Sequence, residues 1–255
     1  MISHAAMSTH IHYFAGEPLV CLGSPEAACL VLVISRNNQD KPAHSIDRLL
    51  AALHRQGCTV CWFETRETQI SKWLSLAFDA FAARFLPAGA WRRGVAFRLL
   101  AIAVKFGLLL CHPQKWDYFW RRKRSASNAM RAASLRRLLA AMPANRVLLL
   151  GHSAGGIVAS MAASAASVGA VVCFGYPFRH PQKPDEPERT AHLATVDKPC
   201  LIFQGSHDAY GSPDDARRYA LSASIRIHAL SAGHDCDPLP ESEFHDCLRL
   251  ISRLL

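Results

Sequence analysis

The chain has 255 residues, half of them apolar and 19% charged. This composition excludes a disordered or low-complexity polypeptide and is ample for a buried core. At ~100–200 residues per domain it makes one large domain or two small ones, and its net charge of +9 permits acidic partners without requiring one.

The opening MISHAAMSTHIHYF lacks a basic segment followed by an apolar one, so no secretory signal is expected. His10 and His12 read as surface or tag-like residues rather than ligands. Ala28–Ser35 (ACLVLVIS) is a continuous apolar run, the pattern of a strand buried on both faces in a parallel sheet. Ile46, Leu49, Leu50 and Leu53 have helical spacing, which places a helix over Asp47–His54, stopped by Gly57. Thr59–Glu64 (TVCWFE) reads as the next strand. Cys58 and Cys61 are three apart in this strand region, so they point to opposite faces rather than to a shared metal.

The long segment Arg66–Arg124 interrupts the alternation of strand and helix. It holds eleven aromatic residues and ends in the basic run Arg121–Arg124, and it reads as a helical cap over the carboxyl edge of a sheet. Within it, Val95–Cys111 is too short for the ~20 residues that span a bilayer. Arg98 and Lys105 fall seven apart on one face, so the segment reads as a helix buried on most sides with a narrow basic stripe. Peripheral contact of the cap with a membrane is the minor alternative.

The regular alternation resumes with a helix over Ser127–Met142, whose apolar face is assigned to Met130, Leu135, Leu138, Leu139 and Met142. Strands follow at Arg146–Leu150, Ala170–Phe174, Cys200–Gln204 and Ser224–Leu230, and an amphipathic helix over Glu241–Leu255 closes the chain. Repeated strand–helix–strand order implies an α/β fold: a mostly parallel central sheet with helices on both faces, here one domain over 1–255 with 66–124 inserted as the cap. The nine cysteines, an odd number lying mostly in apolar runs, suit thiols in a reducing, cytoplasmic setting.

Gly151-His152-Ser153-Ala154-Gly155 places Gly-x-Ser-x-Gly between an apolar strand and a helix. That context is what a nucleophile elbow requires: a sharp turn lifts the serine hydroxyl above the sheet edge, beside the unpaired N–H groups of a helix start. A serine hydroxyl is a weak nucleophile and needs a base oriented by a carboxylate. On this fold the acid follows a later strand and the base follows the last one. Asp208 follows Cys200–Gln204 and His234 follows Ser224–Leu230, so the expected catalytic set is Ser153, Asp208 and His234. Asp214 and Asp215 look like the first turn of a helix, and His207 like an exposed loop residue. His228 falls within a strand, His245 on the last helix, and Asp235 and Asp237 in a solvated loop.

GHSAGG, FGYPF with HPQKP at 174–184, His192-Leu193, QGSHD at 204–208 and Gly233-His234-Asp235 occur in one order. This series resembles the α/β-hydrolase superfamily, and more narrowly the KANL/Tex-like branch of predicted hydrolases, distant relatives of dienelactone hydrolases. The resemblance spans about 146–238, more loosely 28–64, and implies the same Ser153, Asp208 and His234 triad. Relatives usually carry His-Gly after the first central strand to complete the oxyanion hole. Here Ser35–Asp40 contains no glycine, so the expected donors are the N–H of Ala154 and, in that loop, of Arg36 or Asn37.

The expected function is a serine hydrolase acting on a small-molecule ester or thioester with an apolar acyl group, with no metal or organic cofactor. The alternative is a catalytically weak or inactive binding or scaffold protein on the same fold. Nucleic-acid binding is not expected, because Arg121–Arg124 is a short charge run rather than a continuous basic face.

Overall fold

A computed structural model describes residues 9–14, 17–24, 29–34, 44–86, 94–116, 118, 127–142 and 146–255. The chain divides into two compact units, one made of residues 1–64 with 128–255 and the other of residues 65–127.

The first unit is built on an eight-stranded sheet of β1 (Thr9–Phe14), β2 (Glu17–Leu22), β3 (Cys29–Ile34), β4 (Thr59–Phe63), β5 (Arg146–His152), β6 (Val168–Phe174), β7 (Cys200–Gly205) and β8 (Ile225–Leu230). Their order is β1-β2-β4-β3-β5-β6-β7-β8. From β4 to β8 every neighbouring pair is parallel, whereas β1 and β2 join as an antiparallel edge hairpin. His10 and His12, read from the sequence as surface or tag-like residues, both belong to β1, with His10 exposed and His12 half-buried. β1 is an edge strand whose Ile11 and Tyr13 stay exposed, so no burial pattern marks it in the sequence.

The central strands read as unbroken apolar runs because both of their faces are covered. Leu30, Leu32 and Ile34 of β3 join one core with residues of α4 (Asn128–Ala141) and α5 (Ala154–Met161). Val31 and Val33 join a second core with α1 (His44–Arg55) and α7 (Glu241–Ser252), through Leu49, Leu53, Phe244 and Ile251. Cys58 belongs to this second core and Cys61 to the first, beside Cys29 and Cys21 respectively, so the CxxC pair does not converge. The buried face of α4 is Ala132, Leu135, Leu138 and Leu139; Met130, assigned to it from the sequence, is 46% exposed because it lies off that face.

The second unit contains α2 (Arg66–Phe85) and α3 (Val95–Leu110), packed as an antiparallel pair. Ile70 and Leu74 meet Leu109, Phe78 meets Phe97 edge-on at 5.3 Å, and Lys105 donates to Ser75 Oγ at 3.2 Å. The expectation that α3 is buried on most sides fails. Its sole buried residue is Leu109, because α2 covers only one side of it. Among the described residues, no helix is long and apolar enough to cross a membrane.

Candidate active site

Parallel strands bring their carboxyl ends to one edge, and three loops at that edge hold the polar cluster. The first follows β5. Ser153 turns the chain directly into α5 with φ 53° and ψ −125°, a conformation that costs a residue with a β-carbon about 1–3 kcal/mol. It is held in place by the Ser153 N–H donating to the Phe174 carbonyl at 2.9 Å and the Gly156 N–H donating to the Ser153 carbonyl at 2.8 Å. A β-carbon on Gly155 would lie 1.9 Å from the Ile34 carbonyl oxygen. Glycine there lets α5 begin hard against β3, which is the structural content of the Gly-x-Ser-x-Gly spacing.

Ser153 Oγ lies 2.8 Å from His234 Nε2. His234 Nδ1 lies 2.9 Å and 3.0 Å from the two carboxylate oxygens of Asp208. An ionised carboxylate only accepts, so Nδ1 carries the imidazole proton and Nε2 accepts from the serine hydroxyl. The Asp208 side chain is wholly buried, whereas His234 keeps 15% of its side chain exposed. Ser153 is 4% exposed. Ala154 opens α5, so its N–H belongs to the first turn, where helix geometry supplies no carbonyl partner. The arrangement can take a proton from Ser153, spread positive charge over an imidazole fixed by a buried anion, and offer an amide to an oxyanion. The other expected donor, Arg36, lies with Asn37 outside the described residues.

The rival residues are placed elsewhere. Asp214 and Asp215 belong to α6 (Pro213–Ala216), where Asp215 and Ser212 exchange capping hydrogen bonds and Asp214 pairs with Arg217. Hydrogen bonding from the Ser212 backbone holds the Asp215 carboxyl below the usual carboxylate range. His228 lies within β8, His245 on α7, and His207 is exposed. Asp237 is not a solvated-loop residue. Its carboxylate accepts from the Ser45 N–H at 2.8 Å, the His44 N–H at 3.3 Å and the Ser45 hydroxyl at 2.6 Å, so it caps α1 from 192 residues away. The helix start offers unpaired amides and partial positive charge, and the acid in the β8–α7 loop meets both.

A family model for an alpha/beta hydrolase domain matches residues 117–251, a stretch that contains all three clustered side chains. The chain belongs to the α/β-hydrolase family. Solved structures similar to this hydrolase include a predicted CIB-like hydrolase from Thermoplasma acidophilum, at 12% identity over 97% of this chain and 100% of that one, with a TM-score of 0.55. The thioesterase domain from the curacin biosynthetic pathway matches at 14% identity over 97% and 99%, with a TM-score of 0.57. The esterase domain of a Rhodothermus marinus protein matches at 16% identity over 96% of each chain, with a TM-score of 0.54. At such identities the likeness is one of fold. Among curated proteins, none matches the hydrolase.

Sequence reasoning passed over two supports of Asp208. Gln204, fully buried at the end of β7, donates from Nε2 to Asp208 Oδ2 at 2.8 Å and accepts from the Tyr176 N–H at 2.8 Å. The Tyr210 N–H donates to Asp208 Oδ1 at 2.7 Å, and the Tyr210 ring lies 4.4 Å from the His234 ring. A polar residue closing the apolar run Cys-Leu-Ile-Phe four places before the acid was the available signal for Gln204.

Proposed function

We propose that the hydrolase cleaves an ester or thioester carrying an apolar acyl group, through an acyl-enzyme on Ser153. The observation that carries this reading is the 2.8 Å contact from Ser153 Oγ to His234 Nε2, continued at 2.9 Å to Asp208. Ser153 Oγ attacks the acyl carbon as its proton passes to His234 Nε2. Asp208 stabilises the imidazolium, and the Ala154 N–H donates to the oxyanion. His234 then returns the proton to the leaving alcohol or thiol. Water, deprotonated by His234, releases the acid and restores the serine.

The residue 65–127 unit, inserted after β4, is taken as a helical cap, and its eleven aromatics favour an apolar acyl group. The esterase and thioesterase activities named for two of the similar structures agree with this substrate class. The 174–193 motifs favour the KANL/Tex-like branch, and seven buried thiols among the nine fit a cytoplasmic setting. The absence of glycine from Ser35–Asp40 favours the second reading, a weak or inactive binding protein. Incubation with a fluorophosphonate probe and peptide mapping separates the two. The hydrolase reading expects a single label on Ser153 that Ser153→Ala abolishes; an unlabelled Ser153 in folded protein rejects it.

A further inference from the structure

The net charge of the chain is unevenly placed. Residues 65–127 hold twelve Lys and Arg against three Asp and Glu, a net +9. The rest of the chain holds seventeen of each sign, so the inserted unit carries the whole net charge. The same unit carries α3, thirteen of whose sixteen residues are apolar. On α3, Val95, Leu99, Ile102 and Leu110 recur at helical spacing, and each is between 51% and 73% exposed. No acidic residue occurs anywhere in α3. Arg98 is exposed at the margin of the stripe, and Leu76 of α2 is 70% exposed.

We infer that α3 docks the protein onto an anionic lipid leaflet, lying in the plane of the interface. At 16 residues and 1.5 Å rise, α3 is roughly 24 Å long, which suits lying along a bilayer better than crossing it. The aliphatic stripe enters the acyl boundary, and the exposed Arg98 beside it meets lipid phosphates. Arg98 lays its methylenes along the stripe and lifts its guanidinium to the headgroups.

Charge selects this occupant over the others. A second copy would bring +9 against +9, which repels. The remainder of the same chain is electrically balanced, so its net charge does not attract the unit. Nucleic acid would need cations and hydrogen-bond donors at the contact, where α3 presents four aliphatic side chains. A leaflet with anionic headgroups over hydrocarbon complements both features at once.

The test is co-sedimentation of the full chain with phosphatidylcholine vesicles and with phosphatidylcholine–phosphatidylglycerol vesicles. The anionic vesicles should bind at least ~10-fold more tightly, since each surface cation is worth about fivefold. Leu99→Glu with Ile102→Glu should reduce that binding at least ~10-fold, and Arg98→Gln by about fivefold. These side chains are exposed, and circular dichroism checks that the variants fold. Ser153→Ala should bind vesicles as the wild type does, which keeps docking separate from turnover. Three results overturn the inference: no binding to anionic vesicles, equal binding to neutral ones, or a dimer that Leu99→Glu dissociates while vesicles bind nothing.

Discussion

Gln204 holds Asp208 from behind: its Nε2 lies 2.8 Å from Oδ2, on the carboxylate that also faces His234 Nδ1. Both side chains are buried, so bulk solvent does not reach the carboxylate to replace the amide. Losing a hydrogen bond to a buried charge costs about 1.5–3 kcal/mol. Gln204→Leu keeps the volume and removes the donor. We expect kcat to fall by about tenfold or more with KM little changed, because the loss falls on orientation of His234 rather than on substrate contact. A variant with wild-type kcat would remove Gln204 from the positioning machinery.

Asp208→Asn tests the acid itself. The amide presents a donor to Nδ1 and favours the imidazole tautomer that cannot accept from Ser153. Such a change lowers kcat by about 10⁴ in a Ser-His-Asp triad. Asp214→Asn, on the exposed Arg217 pair, should leave ester hydrolysis unchanged. Hydrolysis of a short p-nitrophenyl ester by the two variants decides the assignment. The reverse pattern would make Asp214 the acid.

His192 predicts how stability depends on pH. It sits under α5 with Nε2 2.8 Å from Ser160 Oγ and 3.4 Å from Tyr176 Oη, and burial pulls its imidazole from 6.5 down to about 4. A depressed pKa means the unfolded chain binds the extra proton first. The stabilising effect of a neutral His192 is therefore full above about pH 6.5 and drains away as pH falls toward 4. Urea unfolding at pH 7.5 and pH 5 should show the wild type losing more stability than His192→Gln, which cannot be protonated. Parallel losses would mean that other groups carry the acid sensitivity.

The legible parts of the molecule were those where one short segment contains both cause and effect. Continuous burial wrote β3 and β5 as apolar runs, and the crowding of the first turn of α5 against β3 and β5 wrote two glycines around Ser153. Strand order alone pointed to Asp208 and His234, which the structure brings together beside Ser153. What stayed hidden depends on partners distant in sequence. Asp237 looks like any loop acid until α1, 192 residues earlier, presents its amides. β1 packs only a half-buried face, through Phe14, against the core, and the open side of α3 follows from which helix packs against it. An apolar helix has the same composition whether one side is covered or three.

Asp237→Ala should uncouple α1 from the loop that carries His234. The variant loses the acceptor for two helix-start amides and for the Ser45 hydroxyl. Removing a capping acceptor costs about 0.5–2 kcal/mol, and at about 2–4 °C per kcal/mol for a chain of this size Tm should drop by a few degrees. Asp237→Asn, which keeps the acceptor oxygen, should recover most of the loss. Equal melting of wild type and Asp237→Ala would show that the cap contributes nothing to the fold.

The acyl preference is tested by a series of p-nitrophenyl esters from acetyl to octanoyl. The inserted unit concentrates aromatic side chains, which bury large areas at small entropic cost. If it lines the acyl site, each methylene buried in the transition state adds up to about 0.8 kcal/mol, or about fourfold in kcat/KM. The rise should stop at the chain length that fills the site. Aromatic-to-alanine changes on the lining should flatten the curve for long chains and spare acetyl. A flat profile in the wild type would reject the apolar-acyl reading, whatever the vesicle experiment returns, because docking through α3 makes no demand on what Ser153 cleaves. A flat profile together with anionic-vesicle binding that Arg98→Glu with Lys105→Glu abolishes would assign the inserted unit to the membrane surface alone. A rising profile with no vesicle binding would assign it to the substrate alone, and the two measurements together separate the roles.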